Sequence, residues 1–526
     1  MKTLFLSSEV YPLAKTGGLA DVSESLPVAL SSLGVDIRLM LPAYPKALEQ
    51  LRQRRVDAAL GSVMGVDSVR LIAGHMPDTG LPIWLVDAPS LYERAGGLYQ
   101  DEEGRDWPDN ADRFALLSHV AALVARGNAG LDWVPDVVHA NDWHTGLLPL
   151  LLASTPGARP ASLLTIHNMA FQGLFSNDEA NRLHLPDAAD PASLEYYGGI
   201  SFLKAGISHA DKLTTVSPTY AEQILLPEYG CGLQDVLRER QDDLTGILNG
   251  ADYDVWDPSM DQELPAKFRP GNFAGKRSCK KRLQKELGFA VAPNVPLVSF
   301  VSRLTNQKMA DVVLDSLPQL LELNLQFVLH GEGDRALERA FQEAATAHPE
   351  NIAVRIGYDE GTAHRVLGGA DIVLAPSRFE PCGLIQIYGL RYGTVPIVRR
   401  TGGLADTVVN ADELTMKART ATGFIFEEPS ANDMIECVDR ALTVYSQPLL
   451  WRRIRMQAMK QEFGWEVSAE QYLSLYERLA REETPTVAAE NAGLPNGKFL
   501  VSTAGRDLIE PDSLEAAGAI DARSGA

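Results

Sequence analysis

Several stretches of this 526-residue chain set cations and polar side chains beside glycine turns in a way that suits an anionic, hydroxyl-rich ligand. In "AKTGGLADV", Lys15 stands just before Gly17 and Gly18. A lysine beside a glycine turn that opens a helix is what a phosphate needs: the glycines let backbone approach, and the helix start offers unpaired N–H groups. In "SRLTNQK", Arg303 and Lys308 follow an apolar run, and two cations this close in an acidic protein imply an anion beside them. Surface pairing with Asp or Glu is the competing reading. In "PSRFEPCGLIQIYGL", Glu380 falls in a loop, where it can grip sugar hydroxyls or cap its own helix. The backbone N–H groups of Gly383 and Leu384, at the start of that helix, are candidate phosphate donors. His139, Asp142, His144, His167 and Asn168 fall at the ends of apolar runs in "VVHANDWHTGLLPLL" and "TIHNMAFQG". Their spacing fits no zinc motif, so hydrogen bonding of a polar substrate is the expectation.

The elements that must carry these residues recur. Short apolar runs, each followed by a turn and a helical pattern, occur at 3–8, 36–41, 82–87, 136–140, 162–167 and 212–217. They occur again at 296–302, 325–331, 352–357, 371–376, 395–400 and 423–428. Runs apolar on both faces and alternating with helices indicate parallel sheets covered on both sides, and two such series predict two doubly wound α/β domains. The hexapeptide "TGGLAD" occurs at 16–21 and again at 401–406, each time after a strand and before a helix, the second helix reading through "DTVVNADEL". Two ligand turns in two similar folds, or chance of composition, both explain the repeat. The join falls near 250, where "GILNGADYDVWDP" reads as a strand leading into a loop. Residues 202–224 read as scaffold, with a capped helix starting at Ser217. The last helix is expected over about 466–480, with Val467, Tyr472, Leu475 and Leu479 at helical spacing, and a disordered tail beyond it.

Composition narrows the partners. The formal net charge of −21 opposes phosphate backbones and anionic lipid, so neither nucleic acid nor a membrane surface is expected. Four scattered cysteines without a CxxC pair speak against structural zinc or a disulfide framework and fit a reducing cytoplasm. The opening "MKTLFLSSEVYPLAKTGG" reads as a first buried strand rather than a signal peptide, because its apolar run is short and leads straight into a glycine turn.

Taken in order, "KTGGLADV", "DWHTGL", "TIHNMAFQG", "ISFLKAG", "TVSPTYA", "LNGAD", "SRLTNQK", "PSRFEPCGL" and "RRTGGLADTV" resemble the bacterial and plastid glycogen (starch) synthases, glycosyltransferases of the GT-B type. The resemblance covers about residues 1–480. It implies two Rossmann-like domains facing a cleft, a first over 1–248 on the acceptor side and a second over 249–455 for the nucleotide sugar. It further implies a C-terminal helix over 456–480 returning to the first domain, with 481–526 as the tail. The implied reaction is transfer of glucose from ADP-glucose to the non-reducing end of an α-1,4-glucan, with retention and with no metal or other cofactor.

The resemblance also implies roles. Lys15, Gly17 and Gly18 approach the diphosphate. Arg303 and Lys308 neutralise the departing nucleotide, and Gly383 and Leu384 add backbone donors. Tyr358 stacks on adenine. Asn249, Gly331 and Cys382 belong to the nucleotide-sugar site. Glu380, His167 and Asp21 position glucose and acceptor, with Asp142, His144 and Asn168 in support. Charge grows on the diphosphate as its bond breaks, so fixed cations and a helix start are the groups able to accelerate the step. A two-domain cleft must also close to exclude water. Two positions depart from the family pattern: Met309 stands where glycine usually follows the lysine, and Ile385 stands where threonine usually follows "EPCGL". They give their support to a second reading, a catalytically weakened homologue that binds nucleotide or glucan as a regulator or scaffold.

Overall fold

The computed structural model describes residues 1–481. The chain divides into two compact units. One comprises Met1–Thr215, Ile224–Thr245 and the described part of the segment that begins at Ala469; the other comprises Val216–Gln223 and Gly246–Ser468.

The first unit is built on strands β1 (Lys2–Leu6), β2 (Asp36–Pro42), β3 (Arg52–Val63), β4 (Val66–His75), β5 (Pro82–Asp87), β6 (Val137–Asn141) and β7 (Ala161–Ile166). The short β8 (Leu174–Ser176), β9 (Glu195–Tyr196) and β10 (Gly199–Ser201) follow, then β11 (Lys212–Thr215) and β12 (Leu244–Gly246). They form a nine-stranded sheet in the order β12-β11-β7-β6-β1-β2-β5-β4-β3 and a separate sheet β8-β10-β9. The central strands are parallel and almost wholly buried, as their continuous apolar runs require. Strand order reverses between β1 and β6, the place in an open α/β sheet where ligands meet the carboxyl ends of strands.

The antiparallel pair β3–β4 escaped the sequence reading. That reading sought runs apolar on both faces, whereas β3 is largely exposed and β4 alternates, burying Val69, Leu71 and Ala73. Its signal lay in Met64-Gly65, both with positive φ, the backbone a two-residue hairpin turn demands.

The second unit carries β13 (Leu297–Val301), β14 (Gln326–Gly331), β15 (Ile352–Ile356), β16 (Ile372–Ala375), β17 (Val395–Arg399) and β18 (Phe424–Phe426). All are parallel, in the order β15-β14-β13-β16-β17-β18. This is the doubly wound order, with its switch point between β13 and β16. Val298, Phe300, Leu329 and Ile397 from the sheet pack with Val313, Leu317 and Leu320 of the helix Ala310–Glu322.

Four expectations are corrected. The strand read at 246–258 is the three-residue β12, ending at Gly246; beyond it the backbone turns at Asp252, whose carboxylate accepts the Asp254 N–H. The helix after the second hexapeptide includes its glycines, runs only Gly402–Thr407, and is followed by a separate capped helix Glu413–Ala418. The helix implied over 456–480 is not continuous: a helix Pro448–Ala458 ends first, and the last helix is Trp465–Arg481, so Arg481 is helical; the rest of the expected disordered tail lies outside the described residues. Within that helix Val467 is 57% exposed, and the buried stripe is Ala469, Tyr472, Leu475, Tyr476 and Leu479. Tyr476 reaches into the first unit's core, where its hydroxyl bonds His139 Nδ1 at 2.6 Å; His139 Nε2 bonds Thr165 Oγ1 at 2.6 Å. No helix among the described residues is long and apolar enough to cross a membrane.

Candidate functional site

In the first unit the switch point gathers the loop after β1 and the turn after β6. The loop carries Lys15 to the start of the helix Gly18–Ser32, where Gly17 is the N-cap. Lys15 Nζ bonds Asp21 Oδ1 at 2.7 Å, so the two residues the sequence nominated within one motif meet directly. Neither Gly17 nor Gly18 has positive φ, and an added Cβ at either would meet nothing within 4 Å. The fold therefore makes no steric demand for glycine there.

The residue that sequence reasoning missed is Glu9. It is buried and accepts the Thr16 N–H at 2.6 Å, the Thr16 hydroxyl at 2.6 Å, the Gly17 N–H at 3.1 Å and the Tyr99 hydroxyl at 2.7 Å. The Gly17 amide is thus committed to a carboxylate. A single glutamate in an apolar run carries no periodic signal, and only the folded loop reveals it.

After β6, Asp142 adopts φ 61°, ψ −176°, a costly backbone for a residue with a side chain. Its Oδ1 is buried with no hydrogen-bond partner, and burial pushes its carboxyl up to about 8. His144 is sandwiched between Trp143 and Tyr99, with ring centroids 3.9 and 4.7 Å away, and its Nδ1 is likewise buried and unpartnered. His167, after β7, bonds Asn141 Oδ1 at 3.0 Å, and burial pushes its imidazole down to about 3, so it is neutral at pH 7. The Asn168 side-chain Oδ1 accepts the Ala170 N–H at 3.0 Å, holding the turn it stands in.

In the second unit the switch point brings together the loops after β13 and β16. Arg378 ties them: its N–H donates to the Gln307 carbonyl at 2.8 Å and its guanidinium grips Asp311 at 2.8 and 2.7 Å. Lys308 Nζ is thereby set on the Glu380 carboxylate, which also accepts the Ser377 hydroxyl at 2.8 Å. Glu380 does not cap its helix; Leu384 occupies the N-cap of the helix Ile385–Arg391, and Gly383 before it has φ +75°. Arg303 is exposed at the mouth of the β13 loop. Cys382 is buried, which pushes its thiol up to about 12. Asn249 is buried with Oδ1 unpartnered.

Gly331 ends β14 at φ +154°, where a Cβ would stand 1.8 Å from the Ser302 carbonyl oxygen, so the fold itself demands that glycine. Tyr358 follows β15, is 65% exposed, and donates its hydroxyl to Glu360 at 3.0 Å. The departure at Met309 has a geometric reading. It sits at φ 53° as the N-cap of the helix Ala310–Glu322, a conformation glycine adopts freely, while its side chain is fully buried in the sheet's core. Ile385 keeps its backbone at the first turn and is half-buried. Among the described residues no group of three or more His, Cys, Asp or Glu is placed to hold a metal ion.

Residues 2–239 match the starch synthase catalytic domain and residues 285–454 match the glycosyl transferases group 1. A glycogen synthase of Burkholderia thailandensis is 51% identical over 494 residues, 93% of each chain. One of Paramagnetospirillum magneticum is 50% identical over 484 residues, 91% of this chain and 98% of that one. The catalytic domain of starch synthase IV from Arabidopsis thaliana, solved with ADP and acarbose bound, superposes with a TM-score of 0.82 at 30% identity, covering 91% of this chain and 99% of that one.

Proposed function

The chain belongs to the glycogen and starch synthase family of glycosyltransferases, and we propose that it moves glucose from ADP-glucose to the non-reducing end of an α-1,4-glucan with retention of configuration. The observation that carries this reading is the meeting of Lys308 and Glu380 at the switch point of the second sheet. A cation set on a carboxylate at the carboxyl ends of β13 and β16 has the parts to bind a nucleotide sugar at both its ends. In the reading proposed here, Lys308 and Arg303 meet the diphosphate as its charge grows, and Glu380 grips the hydroxyls of the glucose. Gly383 and Leu384 add backbone donors, and Tyr358 stacks on the base.

On the first unit, Lys15 and the helix start at Gly18 serve the diphosphate. Asp142 and neutral His167 hydrogen-bond the sugar and acceptor, with Asp21 holding Lys15. The unpartnered buried atoms of Asp142 and His144 support this assignment, because a buried polar atom without a partner costs about 1–3 kcal/mol unless a ligand satisfies it. Four free cysteines suit the cytoplasm, where we place the protein.

The test is incorporation of labelled glucose into glycogen from ADP-glucose and from UDP-glucose. Elongation from ADP-glucose in clear excess over UDP-glucose is expected. Tight ADP binding with no elongation from either donor would overturn the reading in favour of a non-catalytic homologue.

A further inference from the structure

The two copies of "TGGLAD" do different physical work. In the first, the glycines have open space and the aspartate, Asp21, holds Lys15. In the second, the glycines are pressed against the loop that carries Glu380. A Cβ on Gly402 would lie 1.9 Å from the Glu380 carbonyl oxygen, and one on Gly403 would lie 2.3 Å from that of Cys382. The Gly403 N–H donates to the Glu380 and Pro381 carbonyls, each at 3.2 Å. The Gly403 amide therefore holds protein backbone rather than standing open to a phosphate.

A second element reaches the same loop. Residues Val216–Gln223 belong to the second unit although the chain on both sides of them belongs to the first. The Ser217 hydroxyl, fully buried, donates to the Pro381 carbonyl at 2.6 Å. The short helix Pro218–Gln223 is clasped to the hexapeptide at both ends. Asp406, the counterpart of Asp21, accepts the Thr219 N–H at 3.0 Å and the Thr219 hydroxyl at 2.6 Å. The Gln223 side-chain carbonyl accepts the Gly402 N–H at 2.9 Å and the Thr401 hydroxyl at 3.3 Å.

We propose that Ser217 and Asp406 are positioning residues for Glu380: the segment 216–223 and the second "TGGLAD" turn lock onto each other and close on the backbone of Glu380–Cys382, which fixes where the carboxylate stands. The proposal rests on the reading of Glu380 as the group that grips the transferred glucose. Neither residue touches the Glu380 carboxylate. They act on the peptide that bears it, and a reacting group displaced by even 1 Å loses rate steeply.

The test uses the full chain with Ser217→Ala, Asp406→Ala and Asp406→Asn, the last keeping a hydrogen-bonding partner for Thr219. In Ser217→Ala and Asp406→Ala, kcat for glucosyl transfer is expected to fall about tenfold to a hundredfold. The inhibition constant for ADP is expected to rise by less than kcat falls, because Arg303 and Lys15, which also meet the diphosphate, lie outside this loop. Asp406→Asn recovers most of the rate. Amide hydrogen exchange supplies a readout independent of turnover: residues 380–384 exchange faster in the two alanine variants while β13 and β14 keep wild-type protection. Unchanged kcat with unchanged exchange at 380–384 would overturn the proposal. So would a parallel rise in exchange through the whole second unit, which marks general loosening. If the wild-type chain transfers no glucose, the reading of function fails, and the exchange pattern at 380–384 alone decides whether the clasp holds that loop.

Discussion

Gly17 and Gly18 illustrate how a residue's reason for being can be located. Both have ordinary negative φ and empty space where a Cβ would go, so an alanine costs the fold nothing and gains helix propensity of roughly 0.5–1 kcal/mol at Gly18. If the glycine is there for a diphosphate to approach, Gly18→Ala keeps or raises Tm while the KM for ADP-glucose rises at least about tenfold; an unchanged KM would remove Gly18 from the site. Lys308→Ala and Arg303→Ala each remove a charge aimed at the leaving group, and a loss of about 3 kcal/mol, a hundredfold or more in kcat, is expected for each. Near wild-type turnover in both would refute that role. Asp142 gives a pH signature. Its carboxyl is raised by burial to about 8, against roughly 4 in an unfolded chain. Because the folded value is the higher, the stability tied to the protonated form is complete below pH ~4 and drains away as pH climbs towards 8. Asp142→Asn cannot ionise, so its Tm is expected to gain on wild type steadily from pH 5 to pH 8, as thermal melts across that range would record.

At the scale of elements, the parallel strands were legible because burial on both faces writes an unbroken apolar run, and β5 was located to the residue, at Pro82–Asp87. The site loops were legible for a related reason: in a doubly wound sheet the chemistry follows the strands, so Lys15, Asp142, His167, Arg303, Lys308 and Glu380 each stand just beyond the carboxyl end of one. What stayed hidden was any partnership across sequence distance. Lys308 bonding Glu380, Glu9 filling the Thr16–Gly17 turn and the clasp on Gly402 depend on loops brought together by the sheet order, and no local spacing encodes that. The glycines divide on the same line. Gly331 reads like Gly17 in sequence, yet its backbone lies against Ser302 with no room for a methyl. Gly331→Ala is expected to destabilise the second unit by about 3 kcal/mol, seen as a fall of several degrees in Tm. A variant that melts with wild type would show that β13 and β14 can part at their ends without cost.

On the scale of the whole chain, the net charge of −21 predicts that no nucleic acid will be retained, so duplex DNA should migrate unretarded at micromolar protein. The first unit is completed by residues that come after the second has been made, since Tyr472 and Tyr476 fill its interior and Tyr476 occupies a ring nitrogen of His139. A ribosome that has released everything up to Ser468 has therefore not yet supplied the closing wedge of the half it made first. A gene cut at that codon would yield a polypeptide with an apolar slot where the helix belongs and an imidazole with one valence unmet in its interior. Such a fragment should be prone to clumping, and adding back a peptide of residues 465–481 should rescue it.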